Sequence, residues 1–476
     1  MRTREVEACA RRLEAFLEEV TASMGRKDRR YWAEQYVRGL LLDGERKSIE
    51  PMAERLGPGA DVQSLRQFVS QSPWDCLKVQ EAMAKKAACL WPAPLAWEID
   101  ETSFPKAGHL SVGVARQYCG ALGKIANCQV AVTLHYVGQS NEAQGGHTGS
   151  AALGWRLFLP KDWTEDPERR VQAHVPEAVS YCTKNQLALE LVREALERGL
   201  PKAPVLADSD YGDDYGFRAA LRQMGCAYAV AVEPRAKAWQ EAPPPLAPGE
   251  RRRADAPALA APRTLEEIAR SLPAVSYRSL TFREGTKGPL RGRFARVALW
   301  AAHGYTQGQH RQERAREWLL VEWPREEEAP LKYWLLWLEP ELGANHPAPR
   351  LREMALLAKR RFQVEQDYRE LKEELGLDHY EGRHWSGWHH HVTLASMAHL
   401  FLGAERQRLT EQRRRTKKKP ARQSHRATRH VRSSHLASNP QKTAGSSHPA
   451  HRPMSLVPRP LPAPPKPQMR NLTQYS

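Results

Sequence analysis

From Val6 to about Leu90 the apolar positions recur at three- and four-residue spacing. "VEACARRLEAFLEEV" and "RRYWAEQYVRGLLL" each put an apolar stripe on one helical face. "DVQSLRQFVSQSPWD" predicts a short helix stopped at Ser-Pro, and "WDCLKVQEAMAKKAACLW" a further helix. After Trp91 and Pro92 the period changes. "LAWEID", "IANCQVAVTLHYVG" and "ALGWRLFLPKDW" read as three strands. "TKNQLALELVREALERGLP" follows as a helix with a Thr cap and with Leu187, Leu191 and Ala195 on one face. "APVLADSDYG" is a short buried strand ending in acids, "DDYGFRAALRQMGC" a helix and "AYAVAVE" a strand. Three strands, helix, strand, helix, strand is the order of an α/β sheet core.

The pattern then breaks. "AKAWQEAPPPLAPGERRRADAPALAAPR" is rich in Pro and Ala and reads as a linker. Beyond it come a short helix, "TLEEIARSL", and four strand-like runs, "SYRSLTFRE", "FARVALWAAHGY", "REWLLVEWP" and "LKYWLLWLEP". These alternate and predict a mainly antiparallel insertion. A long helix follows, from Arg350 to Leu375, and another around Trp388 to Arg408. The expected organisation is a helical domain over 1–90, the first part of the α/β core over 91–235 and a linker with β-rich insertion over 236–345. The rest of the core spans 346–405, and a basic, disordered tail spans 406–476.

Composition changes this picture in two places. The net charge of +17 suggests a nucleic-acid partner, but residues 404–476 carry 17 Lys+Arg and 2 Asp+Glu, leaving the remainder with 55 basic and 53 acidic residues. The tail alone is the electrostatic footprint; it can bind phosphates without reading sequence, or simply be solvated. The seven cysteines are scattered and form no C-x-x-C pair, which predicts reduced thiols and argues against a Cys-rich zinc site. The N-terminus is a charged amphipathic pattern rather than a signal peptide, and no run of about 20 apolar residues predicts a membrane span.

Candidate chemistry lies where apolar runs end in acids. Asp100 ends "AWEID" and Asp208 ends "PVLAD". Strand ends of an α/β sheet face the crevice where ligands bind. Two carboxylates meeting there repel, and a hard divalent cation resolves the repulsion. Glu101 follows Asp100 directly, but successive strand residues point to opposite faces. Asp210 competes with Asp208, yet lies beyond the strand end. A third acid, Glu365, sits in the long helix with Arg361 four residues before it and Lys372 seven after, offsets that share one face of a regular helix. On the pattern alone an ordinary solvated face with i,i+4 pairs is the better explanation of that stripe. The run His389, His390, His391, with His379 and His384, invites zinc, but adjacent helical histidines cannot all face one ion. Trp385 and Trp388 read as core, and Lys106 as a surface lysine.

"IDETSFPKAG", "VLADSDYGDDYGFRAAL" and "RRFQVEQDYRELKEELGLDHYEGRHWSGWHHHVTLASMAHL" resemble, in this order, the three catalytic segments of bacterial insertion-sequence DDE transposases, which belong to the ribonuclease-H-like, retroviral-integrase-like superfamily. The resemblance covers about residues 90–405 and includes a β-rich insertion before the last acid. It implies a ribonuclease-H-like core, a metal-binding triad of Asp100, Asp208 and Glu365, and two Mg²⁺ ions, for which Mn²⁺ can substitute. One branch of the family carries Y-x2-R-x3-E-x6-K around the last acid; Arg361, Glu365 and Lys372 match it, while Ala358 stands at the Tyr position. In that branch the Arg and Lys contact DNA phosphates and excision passes through a DNA hairpin. The departure at Ala358 touches the hairpin step and not the metal chemistry. The implied partners are double-stranded DNA, as terminal inverted repeats and as target, and a second copy of the chain in the DNA complex. The implied location is the bacterial cytoplasm, at the nucleoid, and the N-terminal helices are then the reader of the transposon ends.

Overall fold

The computed structural model describes residues 3–141, 146–242, 261–285, 288–302, 315–338 and 349–418. It opens with α1 (Thr3–Val20), α2 (Lys27–Leu41), α3 (Ile49–Leu56), α4 (Val62–Gln71) and α5 (Cys76–Leu90). Asp61 and Asp75 start α4 and α5 by accepting backbone N–H groups of their first turns. The periodicity reading passes over α3, "IEPMAERL", which is two turns long and carries a proline. Pro51 falls in its first turn, where the missing N–H has no intrahelical acceptor to lose.

The central strands are β1 (Ala93–Pro105), β2 (Ala115–Cys119), β3 (Lys124–Gln139) and β4 (Thr148–Leu157). β3 lies antiparallel to β1 from Cys128 to Gln139 and carries β2 and then β4 on its other edge. After α6 (Lys161–Thr164), α7 (Pro167–Gln172) and α8 (Lys184–Glu197), the chain adds β5 (Val205–Ala207) parallel to β1. α9 (Ser209–Gly212) and α10 (Tyr215–Gln223) lead to β6 (Tyr228–Val232), parallel to β5. The resulting order is β4–β3–β1–β5–β6, antiparallel on one side of β1 and parallel on the other. Thr183 opens α8 with a complete capping box to Gln186. Thr183→Ala should therefore lower the unfolding free energy by about 1 kcal/mol, read from urea denaturation midpoints.

The β-rich insertion contains β7 (Lys237–Trp239), β8 (Arg263–Thr264), α11 (Leu265–Ser271), β9 (Arg278–Gly285), β10 (Gly288–Ala301), β11 (Glu317–Glu322) and β12 (Lys332–Trp337). Its pairing is antiparallel, as the alternation predicts. It does not stand apart from the core. β12 pairs with β6, so the sheet continues through β12, β11 and β10 and β6 is not left as an edge. A buried ion pair secures the join: Arg218 of α10 donates to Glu317 of β11 at 2.9 Å, and the Tyr228 hydroxyl donates to the same carboxylate at 2.6 Å. Most of the expected linker, 243–260, lies outside the described residues, as does everything from 419 onward.

The long helix expected from Arg350 to Leu375 is not one regular helix. It is α12 (Leu351–Ala358), a 3₁₀ turn (Lys359–Arg361), α13 (Phe362–Arg369) and a π-helical turn (Glu370–Glu374). The last helix, α14, runs from Trp385 to Lys418, so residues 406–418, expected to begin the disordered tail, are helical. α14 packs on β4 and on α2, α4 and α5, and the N-terminal helices share one hydrophobic core with the sheet. The histidine run belongs to that packing. His390 lies between the carbonyls of Val69 and Trp74, and His391 between the Tyr36 hydroxyl and the Leu377 carbonyl. Burial pushes His389 down to about 3 and His391 to about 4, so these rings are neutral core groups. Among the described residues no helix is long and apolar enough to cross a membrane.

Candidate active site

Asp100 lies in the buried stretch of β1 and Asp208 directly follows β5. Because β1 and β5 run parallel, with Trp97 beside Val205 and Glu98 beside Leu206, the register carries both acids to neighbouring positions where β5 stops. Asp208 ends its strand as expected, whereas Asp100 does not, since β1 continues to Pro105 against β3. Asp208 also caps α9, its Oδ1 accepting the Asp210 N–H at 3.1 Å. The tight turn needs Gly212: a side chain there would collide with the Ala231 carbonyl of β6. Asp210 is exposed. Glu101, on the other face of β1, pairs with Lys184 at 2.6 Å.

One guanidinium joins the two acids. Arg361 Nη2 donates to Asp100 Oδ1 at 2.6 Å and to Asp208 Oδ2 at 3.0 Å. Burial raises Asp100 to about 6; Arg361 opposes the rise and Asp208 adds to it. Asp208 is raised as well, first by burial, against Arg361 and with Asp210. Burial works against the Arg361 charge, but Asp100 and Asp208 outweigh it and hold the group protonated. The pair is thus a desolvated double negative charge compensated, among the described residues, by the Arg361 guanidinium.

Glu365 lies one turn beyond Arg361, exposed on α13. Among the described residues no three His, Cys, Asp or Glu side chains converge closely enough to hold a metal ion. Lys372 lies in the π-helical turn, its Nζ donating to the Ser103 carbonyl near the end of β1 at 3.0 Å. The shared face expected of Arg361, Glu365 and Lys372 assumed a regular α-helix; a 3₁₀ turn under Arg361 and a π turn under Lys372 change the phase on either side of Glu365. Ala358 is buried in a core cluster that also includes Met354, Trp334 and Leu336. Lys106 also departs from the surface reading, donating to the Tyr380 carbonyl.

Below the acids, α13 meets the sheet through polar groups that the pattern reading missed. Glu98 is fully buried and its Oε2 accepts the Val364 N–H at 2.8 Å. Asp367 is buried beside His135 Nδ1 at 2.8 Å and accepts from Ser150 Oγ at 2.6 Å and Gln363 Nε2 at 3.2 Å. The Tyr368 and Thr133 hydroxyls are bonded to each other. An acid two residues before Asp100, inside an apolar strand, is the signal that could have found Glu98, since unpaired acids are almost never fully buried.

The donor chemistry fits a hard divalent cation. Asp100 and Asp208 offer carboxylate oxygens that already converge on one positive group, and oxygen ligands are what Mg²⁺ and Mn²⁺ take. The family model described as DDE superfamily endonuclease matches residues 19–289, a span that includes Asp100 and Asp208. The Transposase DDE domain model matches residues 180–401, which include Asp208 and Glu365. A protein of Microchaete diplosiphon named as the probable transposase for insertion sequence element IS701 is 30% identical over 197 residues, 41% of this chain and 46% of that protein. The chain thus spans about half the length of this relative.

Proposed function

The chain belongs to the DDE superfamily of endonucleases and transposases, and from that premise we propose that it is the transposase of an insertion sequence, cutting DNA at the element's ends and joining the freed 3′-OH groups to target DNA. The observation that carries this reading is the pair Asp100, within β1, and Asp208, just past β5, side by side and bridged by Arg361. A sheet antiparallel on one side of β1 and parallel on the other supports the ribonuclease-H-like layout. Asp100, Asp208 and Glu365 would hold two Mg²⁺ ions, with Mn²⁺ able to substitute. Bound there, such ions supply Lewis acidity to the attacking and leaving oxygens of a phosphodiester.

The chain's own residues do the rest. β1 and β5 hold two acids side by side, while Glu365, exposed on α13, would have to swing in from a helix whose flanking turns are irregular. In this reading Arg361 and Lys372 serve the phosphates at the cleaved end, which requires Arg361 to leave the acids when DNA and metal arrive. In this scheme water and then the freed 3′-OH are the nucleophiles, so no nucleophilic Ser or Tyr and no covalent protein–DNA linkage is expected. The N-terminal helices, packed on α14 behind the sheet, are the proposed reader of the terminal inverted repeats, and a dimer bridges both ends.

The deciding assay supplies pre-cleaved transposon-end DNA bearing 3′-OH groups, a plasmid target and Mg²⁺ or Mn²⁺. Joined products are expected. Cleavage of intact ends without joining identifies a metal-dependent nuclease instead, and neither activity from correctly folded protein removes the enzymatic reading.

A further inference from the structure

Most helices dock on a sheet through apolar contact, which is non-directional and leaves rotation about the helix axis loosely set. α13 is different, because its sheet-facing positions are bound by directional groups. Glu98 takes the backbone N–H of Val364, within the helix's first turn. Asp367, one turn on, is held by His135 of β3, Ser150 of β4 and Gln363 of its own helix. The strand register lines these up: Glu98 pairs with His135 and Asp100 pairs with Thr133, so two adjacent cross-strand rows on one face of the sheet each bind α13. Glu365 lies between Val364 and Asp367 in the chain, with its side chain on the outer side.

Resting on the reading of Asp100, Asp208 and Glu365 as the catalytic acids, we propose that Glu98 is a positioning residue: its carboxyl oxygen ties the strand that bears Asp100 to the helix that bears Glu365 and sets the distance and rotation of that helix relative to the first two acids. Glu98 needs only an acceptor oxygen for this. It sits on the same face of β1 as Asp100, two residues deeper, with Val364 N–H as its hydrogen-bond partner. A change there moves α13 against β1 without removing an acid from the site. A misplacement of about 1 Å is enough to lower a rate by about 100-fold.

The test compares Glu98→Ala, Glu98→Gln and, as a control, Asp100→Asn in the full chain. Three quantities are read: the cleavage rate on end DNA with Mn²⁺, end-DNA binding without divalent metal, and hydrogen exchange of the α13 amides without metal or DNA. Glu98→Ala should lower the maximal rate by about 100-fold while end-DNA affinity stays within about twofold, and the Val364 amide should exchange at least about tenfold faster. Glu98→Gln, which keeps an acceptor oxygen, should restore the amide protection and bring the rate back to within about threefold of the parent, a rescue that a metal ligand would not allow. If Glu98→Gln is as inactive as Asp100→Asn, the carboxylate itself is required and the tether is wrong. If Glu98→Ala cleaves normally, or loses activity with α13 exchange unchanged, it is wrong as well. Should Glu98→Ala fail to fold, Glu98→Gln decides: parent-like rate and protection uphold the tether, and loss of either overturns it. Normal cleavage by Asp100→Asn overturns the catalytic reading instead and is recognised separately.

Discussion

Asp208→Asn should abolish DNA cleavage while leaving the fold in place. Asn keeps a side-chain oxygen where Oδ1 accepts the Asp210 N–H, so the start of α9 survives the change. What disappears is one of two negative charges that converge beside Arg361. Charge is what a divalent cation requires there, and its loss should lower the rate of strand cleavage by on the order of 10³-fold or more, about 4 kcal/mol of transition-state stabilisation. Thermal stability should stay within a few degrees of the parent, and binding of end DNA should persist. The same substitution at Asp210 is the internal control. That residue is exposed and contributes its backbone N–H rather than its carboxylate, so Asp210→Asn should change the rate only a few-fold. Parent-like cleavage by Asp208→Asn alongside loss in Asp210→Asn would move the second acid two residues down the chain.

The contrast between these acids was legible in the sequence because it is local. An apolar run reaching an Asp marks a buried strand at both places, but only Asp208 follows the end of its strand; β1 runs five residues past Asp100 to Pro105, still paired with β3. Glu101 separates from Asp100 by strand alternation alone, and its ion pair with Lys184 follows from that. What escaped depends on contacts between distant segments. The offsets among Arg361, Glu365 and Lys372 describe a face only if the helix is regular, and the regularity is broken by tertiary demands: Arg361 bonded to two acids and Lys372 bonded to Ser103. The insertion was readable as antiparallel strands, but its fusion with β6 was not, since strand pairing across about a hundred residues leaves no local trace. Short elements such as α3 and β2 carry too few periods to register. The role of Glu98 required knowing that Val364 lies against it.

The position of Arg361 carries a second large effect, on stability rather than rate. Removing it as Arg361→Ala leaves Asp100 and Asp208 together in a desolvated place without their cation. Breaking a buried pair from one side is far more damaging than never having built it, and with this site partly open the loss should be about 3 kcal/mol at pH 8. Its pH dependence has a definite sign. Asp100 is raised to about 6 in the fold against 3.8 for the free group, so between those values the folded state holds more protons than the unfolded one, and stability falls as pH rises through that window. Without Arg361 the opposing influence is gone, the folded value moves higher still, and the fall continues above pH 6. Arg361→Ala should therefore melt close to the parent at pH 5 and well below it at pH 8 in metal-free buffer. Adding Asp100→Asn to Arg361→Ala should recover most of the difference, because a neutral amide does not need the cation. Millimolar Mn²⁺ should raise the melting temperature of Arg361→Ala more than that of the parent, since the ion no longer competes with a guanidinium for the same oxygens. An equal loss at pH 5 and pH 8, unaffected by Mn²⁺, would mean that Arg361 serves packing and that the acid pair does not depend on its charge.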